Sequence, residues 1–239
     1  MSRTEHGIHF ALTGEVRVIK GFPKVKAETV RHWLAIGAAL FCLGFSILFT
    51  RYVFGEGAEF WNRFDRDTLL RVGELRRGWL NGAFVDISAM ASISVLTVLL
   101  LLLIYVCWIS RNRLGVIHSL LLFAGTLFLQ DWAKGVFSRE RPTVIPKLVE
   151  VASYSYPSGH AFAASAVYLT LAIMGSQIFR KPVHQIMLFV FASALITLIG
   201  FSRVYLGVHY PSDVVSGTAM GAAWAFVLAA LVQRIPRQK

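Results

Sequence analysis

Six long apolar runs alternate with shorter polar stretches along the 239-residue chain. They cover about Trp33 to Phe54, Ala83 to Ile109, Leu114 to Leu129, Ala161 to Phe179, Gln185 to Val204 and Val214 to Leu231. A helix of about 20 apolar residues crosses the hydrocarbon of a bilayer, so each run predicts one span. The second run is longer than needed and predicts a helix that tilts or projects from the bilayer. The third continues as Gln130-Asp131-Trp132-Ala133-Lys134, polar enough to lie at or above the interface. In the first span Ala35, Gly37, Ala38, Ala39 and Gly44 allow close helix packing.

Between the first two spans, Gly55 to Gly82 is charged yet carries Phe60, Trp61, Phe64, Leu69, Leu70, Val72, Leu75 and Trp79 at roughly helical spacing. Asp65, Arg66, Arg71 and Arg76 fall between them. This pattern predicts an amphipathic helix lying on the membrane surface, with a solvated connecting loop as the plainer alternative. The fold class is therefore all-α: a polytopic membrane bundle of six transmembrane helices plus one amphipathic surface helix.

Composition supports the membrane assignment. Charged residues make up 15% of the chain and apolar residues 56%, whereas soluble domains carry about 25% charge. The net charge of +11 comes without any pattern of a nucleic-acid-binding surface. Membrane topology and an anionic ligand account for it better. Cys42 and Cys107 lie inside apolar runs and read as small packing residues; no Cys/His spacing suited to a metal is present. Residues 1–31 read as a basic cytoplasmic tail ahead of an uncleaved first helix, with Glu15 to Ile19 as a short strand or helix. Residues 236–239 read as a short C-terminal tail. With six spans both termini share one side, together with the Arg111/Arg113 and Arg180/Lys181 turns. Those two short turns contain no acid, and basic turns stay in the cytoplasm. The expected setting is the inner membrane of a bacterium.

All the unusual polar residues then fall on the opposite, outer side. Lys134 is followed by Arg141-Pro142. Tyr156-Pro157-Ser158-Gly159-His160 sits where polar sequence enters the fourth span, so its backbone N–H groups and helix dipole offer a seat for an anion. Ser202-Arg203 precedes His209 and Asp213 in the last polar turn. Pro211 fits the first position of the sixth helix, which puts Asp213 in its first turn and His209 just outside it. Arginine forks and a lysine stabilise the equatorial oxygens of a phosphate during transfer. A histidine can attack phosphorus, a carboxylate can orient that histidine, and a second histidine can protonate the leaving alkoxide. Such a set suffices for phosphate ester hydrolysis without a metal or other cofactor.

These three runs resemble the signature of the type 2 phosphatidic acid phosphatase superfamily: Lys-x6-Arg-Pro, Pro-Ser-Gly-His and Ser-Arg-x5-His-x3-Asp. They stand here without departure between Lys134 and Asp213. The resemblance implies a single phosphatase domain, residues 32–235. It implies His209 as nucleophile, Asp213 as its orienting partner and His160 as general acid. It implies Lys134, Arg141, Ser158, Gly159 and Arg203 as phosphate ligands. The expected partners are the bilayer and a phosphorylated lipid such as phosphatidic acid, phosphatidylglycerol phosphate, undecaprenyl diphosphate or lipid A. No nucleic-acid partner is expected, and the sequence leaves oligomeric state open. Two other readings remain. The vanadium haloperoxidase branch is similar in its oxyanion ligands, but six apolar spans oppose it. A non-catalytic lipid binder or transporter would use the cations but has no need of the histidine pair. Gly207 is expected to shape the turn that aims His209, or simply to stop a helix. Asp86 is either a pocket residue or interfacial. Ser138, Arg139 and Tyr154 lie near the motifs but carry no signal of their own, and His118 and His184 read as structural.

Overall fold

The computed structural model describes residues 15–16 and 25–233, with side chains from 29 to 232. The rest of the basic tail, including Arg17, Lys20 and Lys24, and the C-terminal Arg234, Arg237 and Lys239 lie outside the described residues. Glu15–Val16 (β1) pairs antiparallel with Val25–Lys26 (β2), Glu15 opposite Lys26. The other regular elements are helices. In order come α1 (Ala27–Phe54), α2 (Ala58–Glu74), α3 (Gly78–Ala89), α4 (Ile93–Ile109), α5 (Arg113–Phe137), α6 (Gly159–Ser176), α7 (Pro182–Tyr205) and α8 (Pro211–Gln233).

Five helices, α1, α5, α6, α7 and α8, are long and apolar enough to cross a membrane. The sixth span is the pair α3–α4, bent by 40°. The continuous second span read from the sequence is thus two helices. Its break has a local cause: Ser92 adopts an extended backbone and its hydroxyl accepts from Val95 N, capping α4. The carbonyl of Met90 that the break releases accepts from the Tyr168 hydroxyl at 2.7 Å. The surface helix is also shorter than read. It ends at Glu74, and Trp79 belongs to α3. Arginine side chains satisfy backbone carbonyls around this link: Arg77 Nη1 donates to Glu74 O and Arg76 O, and Arg76 reaches across to Tyr205 O and Pro146 O. The third span, in contrast, runs without a break through its polar end to Phe137.

The α6 helix is the central post. Eleven of its residues are buried, most of them Ala, Ser or Gly. It packs on α7 and α5, and most closely on α8, where small residues let the two backbones approach. A methyl group at Gly221 would collide with the Phe162 carbonyl, and one at Gly217 with the Ser158 carbonyl. Large apolar side chains of α1, α4 and α7 point outward instead: Phe41 is 73% exposed, Val98 66% and Phe191 69%. That surface suits lipid, not water. A second apolar cluster roofs one end of the bundle, with Leu69 and Val72 of α2 against Ile145 and the Val204–Val208 turn.

The close α6–α8 approach yields a direct test. Gly221→Val should destabilise the detergent-purified protein by about 1–3 kcal/mol through overpacking, read as a lower Tm. Gly37→Val on α1, where nothing lies within 4 Å, should leave Tm nearly unchanged.

Candidate active site

One end of the bundle gathers a helix terminus from each of α5, α6, α7 and α8. Lys134 lies in the last turn of α5, Ser158-Gly159-His160 opens α6, Arg203 lies in the last turn of α7, and Asp213 is in the first turn of α8. His209 sits in the short link before Pro211, as the spacing predicted. All eight residues selected from the sequence therefore reach the same end of the bundle.

His209 is 1% exposed and Asp213 0%. Asp213 Oδ2 lies 3.5 Å from His209 Nδ1. The Ser155 hydroxyl bridges them, donating to Asp213 Oδ2 and standing 3.4 Å from His209 Nδ1. Asp213 Oδ2 also accepts from Tyr210 N at 2.9 Å, closing the turn that carries His209. With Nδ1 turned to the carboxylate, the other ring nitrogen, Nε2, faces Arg141 Nη1 at 3.3 Å. Arg141 is fixed by Val208 O and Ser153 O, both at 2.6 Å. Burial, opposed by Asp213 and reinforced by Arg203 and Arg141, pushes His209 down to about 4, so the ring is neutral at pH 7 and Nε2 carries the lone pair that meets Arg141.

The cations form the other half of the site. Lys134 Nζ donates to Ser153 Oγ at 2.9 Å. Arg203, 4% exposed, donates through Nη1 to Ser88 Oγ on α3, while its Nε is buried without a partner. The Ser158 hydroxyl is likewise buried and unpartnered. Lys134, Arg141 and Arg203 repel one another, and all three act electrostatically on His160 together with His209. A Cβ at Gly159 would stand 2.7 Å from Gln130 Oε1 and 3.5 Å from Lys134 Nζ, so the glycine keeps the lysine close to the start of α6. Unpaired buried donors beside clustered positive charge are costly without an anion. An oxyanion with several acceptor oxygens would relieve both.

Three contributions were not legible as such. Arg139, which carried no signal, donates through Nη1 to Asp213 Oδ1 at 2.6 Å and through Nη2 to Asp65 Oδ2 at 2.9 Å. Asp65, read as a residue of the polar face of the surface helix, is fully buried. A clue existed: Asp65, Leu69 and Val72 are four and three residues apart, so the carboxylate shares the apolar face. Ser153 and Ser155 come from the loop before α6 and gave no sequence signal. Gly207 has φ +76° and lies under Arg76 and the Pro146 carbonyl, so the turn needs glycine there. Asp86 is exposed, and His118 is buried on α5 away from the site residues.

The motifs match known proteins in the same terms. Residues 115–237 match the PAP2 superfamily. Phosphatidylglycerophosphatase B of Bacillus subtilis is 30% identical over 164 residues, which cover 68% of this chain and 80% of that protein. The undecaprenyl-diphosphatase of Sulfolobus acidocaldarius is 32% identical over 154 residues, 62% of this chain and 68% of that one. A crystal structure of a transmembrane PAP2 type phosphatidylglycerolphosphate phosphatase from Bacillus subtilis superposes with a TM-score of 0.71 at 26% identity, covering 86% of this chain and 98% of that one. The chain is a multi-pass membrane protein with the fold of these phosphatases. It belongs to the PAP2 superfamily and is a phosphoric ester hydrolase of its lipid phosphatase branch.

Gly207→Ala should strain the left-handed turn beneath His209. A loss of about 1–2 kcal/mol in stability is expected from the backbone alone, read as a lower Tm, with a parallel loss of phosphate release. Gly135→Ala, in open space at the end of α5, is the matched control.

Proposed function

We propose that the protein removes a phosphate group from a lipid by way of a phosphohistidine. His209 Nε2 attacks phosphorus and the bond from phosphorus to the lipid oxygen breaks. His160, protonated once the bound phosphate dianion offsets the surrounding cations, delivers that proton to the departing alkoxide. The same imidazole then takes a proton from the water that attacks the phosphohistidine, releasing inorganic phosphate and restoring His209. Asp213 holds the Nδ1 tautomer and steadies the positive ring as it forms. Lys134, Arg141, Arg203, the Ser158 hydroxyl and the backbone N–H groups at Gly159 bind the phosphate oxygens. The observation that carries this reading is the neutral, buried His209, with Nδ1 turned to Asp213 and Nε2 facing the cationic side. A pure binding protein would gain nothing from that arrangement.

The substrate we favour is a glycerophospholipid monophosphate such as phosphatidylglycerol phosphate, on the strength of the two Bacillus subtilis likenesses. Phosphatidic acid, undecaprenyl diphosphate and lipid A are the competing candidates. We place the protein in the inner membrane with both termini in the cytoplasm and the site facing the periplasm, because the acid-free Arg111/Arg113 and Arg180/Lys181 turns lie at the opposite end.

Phosphate release from these four lipids, measured in detergent with the purified full chain, tests the activity. Phosphatidylglycerol phosphate should be the fastest. His209→Ala should lose at least about 10³-fold in kcat, and acid quenching of the wild type during turnover should trap phosphate on histidine. Equal turnover by His209→Ala would remove the proposed nucleophile.

Topology is tested separately. Glu140→Cys, in a background lacking Cys42 and Cys107, should react with a membrane-impermeant maleimide added to intact cells. Labelling of that position only after the cells are opened would invert the orientation.

A further inference from the structure

We propose that Asp65 of the surface helix, acting through Arg139, is a positioning residue for the Asp213–His209 pair. The proposal rests on the phosphatase reading above and extends it to α2, which lies outside residues 115–237 that match the family.

Asp65 is fully buried on a helix whose Phe60 and Phe64 are 58% and 43% exposed. Both of its oxygens are used. Oδ1 accepts from Ser212 N at 3.0 Å, and Oδ2 accepts from the Ser212 hydroxyl and from Arg139 Nη2. Asp65 therefore caps the start of α8 from another helix, at the residue next to Asp213. Arg139 spans the remaining distance. Its Nη1 serves Asp213 Oδ1 and Ser212 Oγ, and its guanidinium stacks on the Tyr210 ring with Cζ 4.1 Å from the centroid. The chain of contacts Asp65–Arg139–Asp213–His209 leaves Asp213 no free direction in which to rotate. Packing alone gives no reason for this arrangement, since a leucine at position 65 would join Leu69 and Val72 without desolvating a charge. The exposed rings of Phe60 and Phe64, stacked on each other, suit the headgroup boundary of a bilayer, while Trp61, one turn before Asp65, packs against Phe49 of α1. The helix that rests on the membrane is thus the helix that fixes the carboxylate behind the nucleophile.

The groups that act on His209 are Asp213, Arg203 and Arg141, with His160 alongside. Arg139 bears on it only through Asp213. Removing Arg139 leaves more of the Asp213 charge to favour a protonated His209, so the acid limb of kcat/KM should move up. A loss that is merely structural would leave the limb where it is.

The test uses the purified full chain in detergent, with dioleoyl phosphatidic acid or whichever of the four lipids the wild type hydrolyses fastest. Asp65→Asn should lower kcat about 10–100-fold with KM within about threefold of wild type. Arg139→Lys should fall in the same range, because one ammonium cannot span two carboxylates as the fork does. Arg139→Gln should raise the acid limb by about 1 pH unit. The Asp65→Asn/Arg139→Gln double variant should lose no more than the worse single variant, as expected for residues acting in series. The proposal is overturned if Asp65→Asn and Arg139→Lys both keep kcat within twofold, if their losses lie in KM, or if the acid limb stays fixed in Arg139→Gln. If the wild type itself releases no phosphate, or His209→Ala releases as much, it is the phosphatase reading that fails. Wild-type turnover abolished by His209→Ala but untouched in the Asp65 and Arg139 variants would sink the positioning role alone.

Discussion

A carboxylate in the interior of a membrane bundle is the constraint on which the rest of this structure depends. Asp213 is fully buried, and an unpaired charge there would cost several kcal/mol. The fold answers with Arg139, the Ser155 hydroxyl and the Tyr210 amide, all converging on one side chain. Its position in the first turn of α8 adds the favourable end of a helix dipole. Arg139 and Ser155 come from the loop before α6 and Tyr210 from the link after α7, so both segments must meet the start of α8 at once. Arg139 in turn draws in Asp65, and with it the surface helix. Two carboxylates and one guanidinium leave this side with one negative charge, facing Lys134, Arg141 and Arg203. The ion pairs raise Arg139 above its ordinary range despite burial, while burial raises Asp65 against the bonds from Ser212 and Arg139.

The two halves of the site are in opposite states. Both oxygens of Asp213 have donors. Around the proposed phosphate position, three cations repel one another, and the Ser158 hydroxyl and Arg203 Nε lack partners. A site that is complete on the protein side and incomplete on the ligand side is organised to receive an anion without rearranging itself, which is how preorganised electrostatics lowers a barrier. The frustrated half survives because the satisfied half and the tight α6–α8 contact hold it in place. The backbone amide of Ser158 is part of that scaffold, since it donates to the Asp213 carbonyl at 3.0 Å and ties the start of α6 to the start of α8.

Lipid shapes the rest of the bundle. Between helices in a membrane there is little hydrophobic drive, so packing rests on close contact of small residues. The alanines and serines of α6 and the glycines of α8 serve that contact, and the large apolar residues are free to face outward. Polar groups freed at the α3–α4 break find partners inside the protein, in Tyr168 and in the Ser92 cap, as a medium without water demands.

The sequence by itself determined the all-helical membrane class, the order of the spans and the meeting of eight candidate residues at a common end. Apolar run lengths report the bilayer directly, and residues such as Lys134, His160 and Asp213 have polar chemistry that apolar spans do not otherwise require. Pro211 marked the start of α8 because proline has no amide to lose there. Tertiary structure alone decided the partner that Tyr168 offers the carbonyl freed at the α3–α4 break and the partnership of Asp65 with Arg139. Those features depend on groups far apart in the chain: 74 residues separate Asp65 from Arg139, and the same number separate Arg139 from Asp213. Local spacing can put Asp65 on the apolar face of its helix, but it cannot name a partner that arrives from a distant loop.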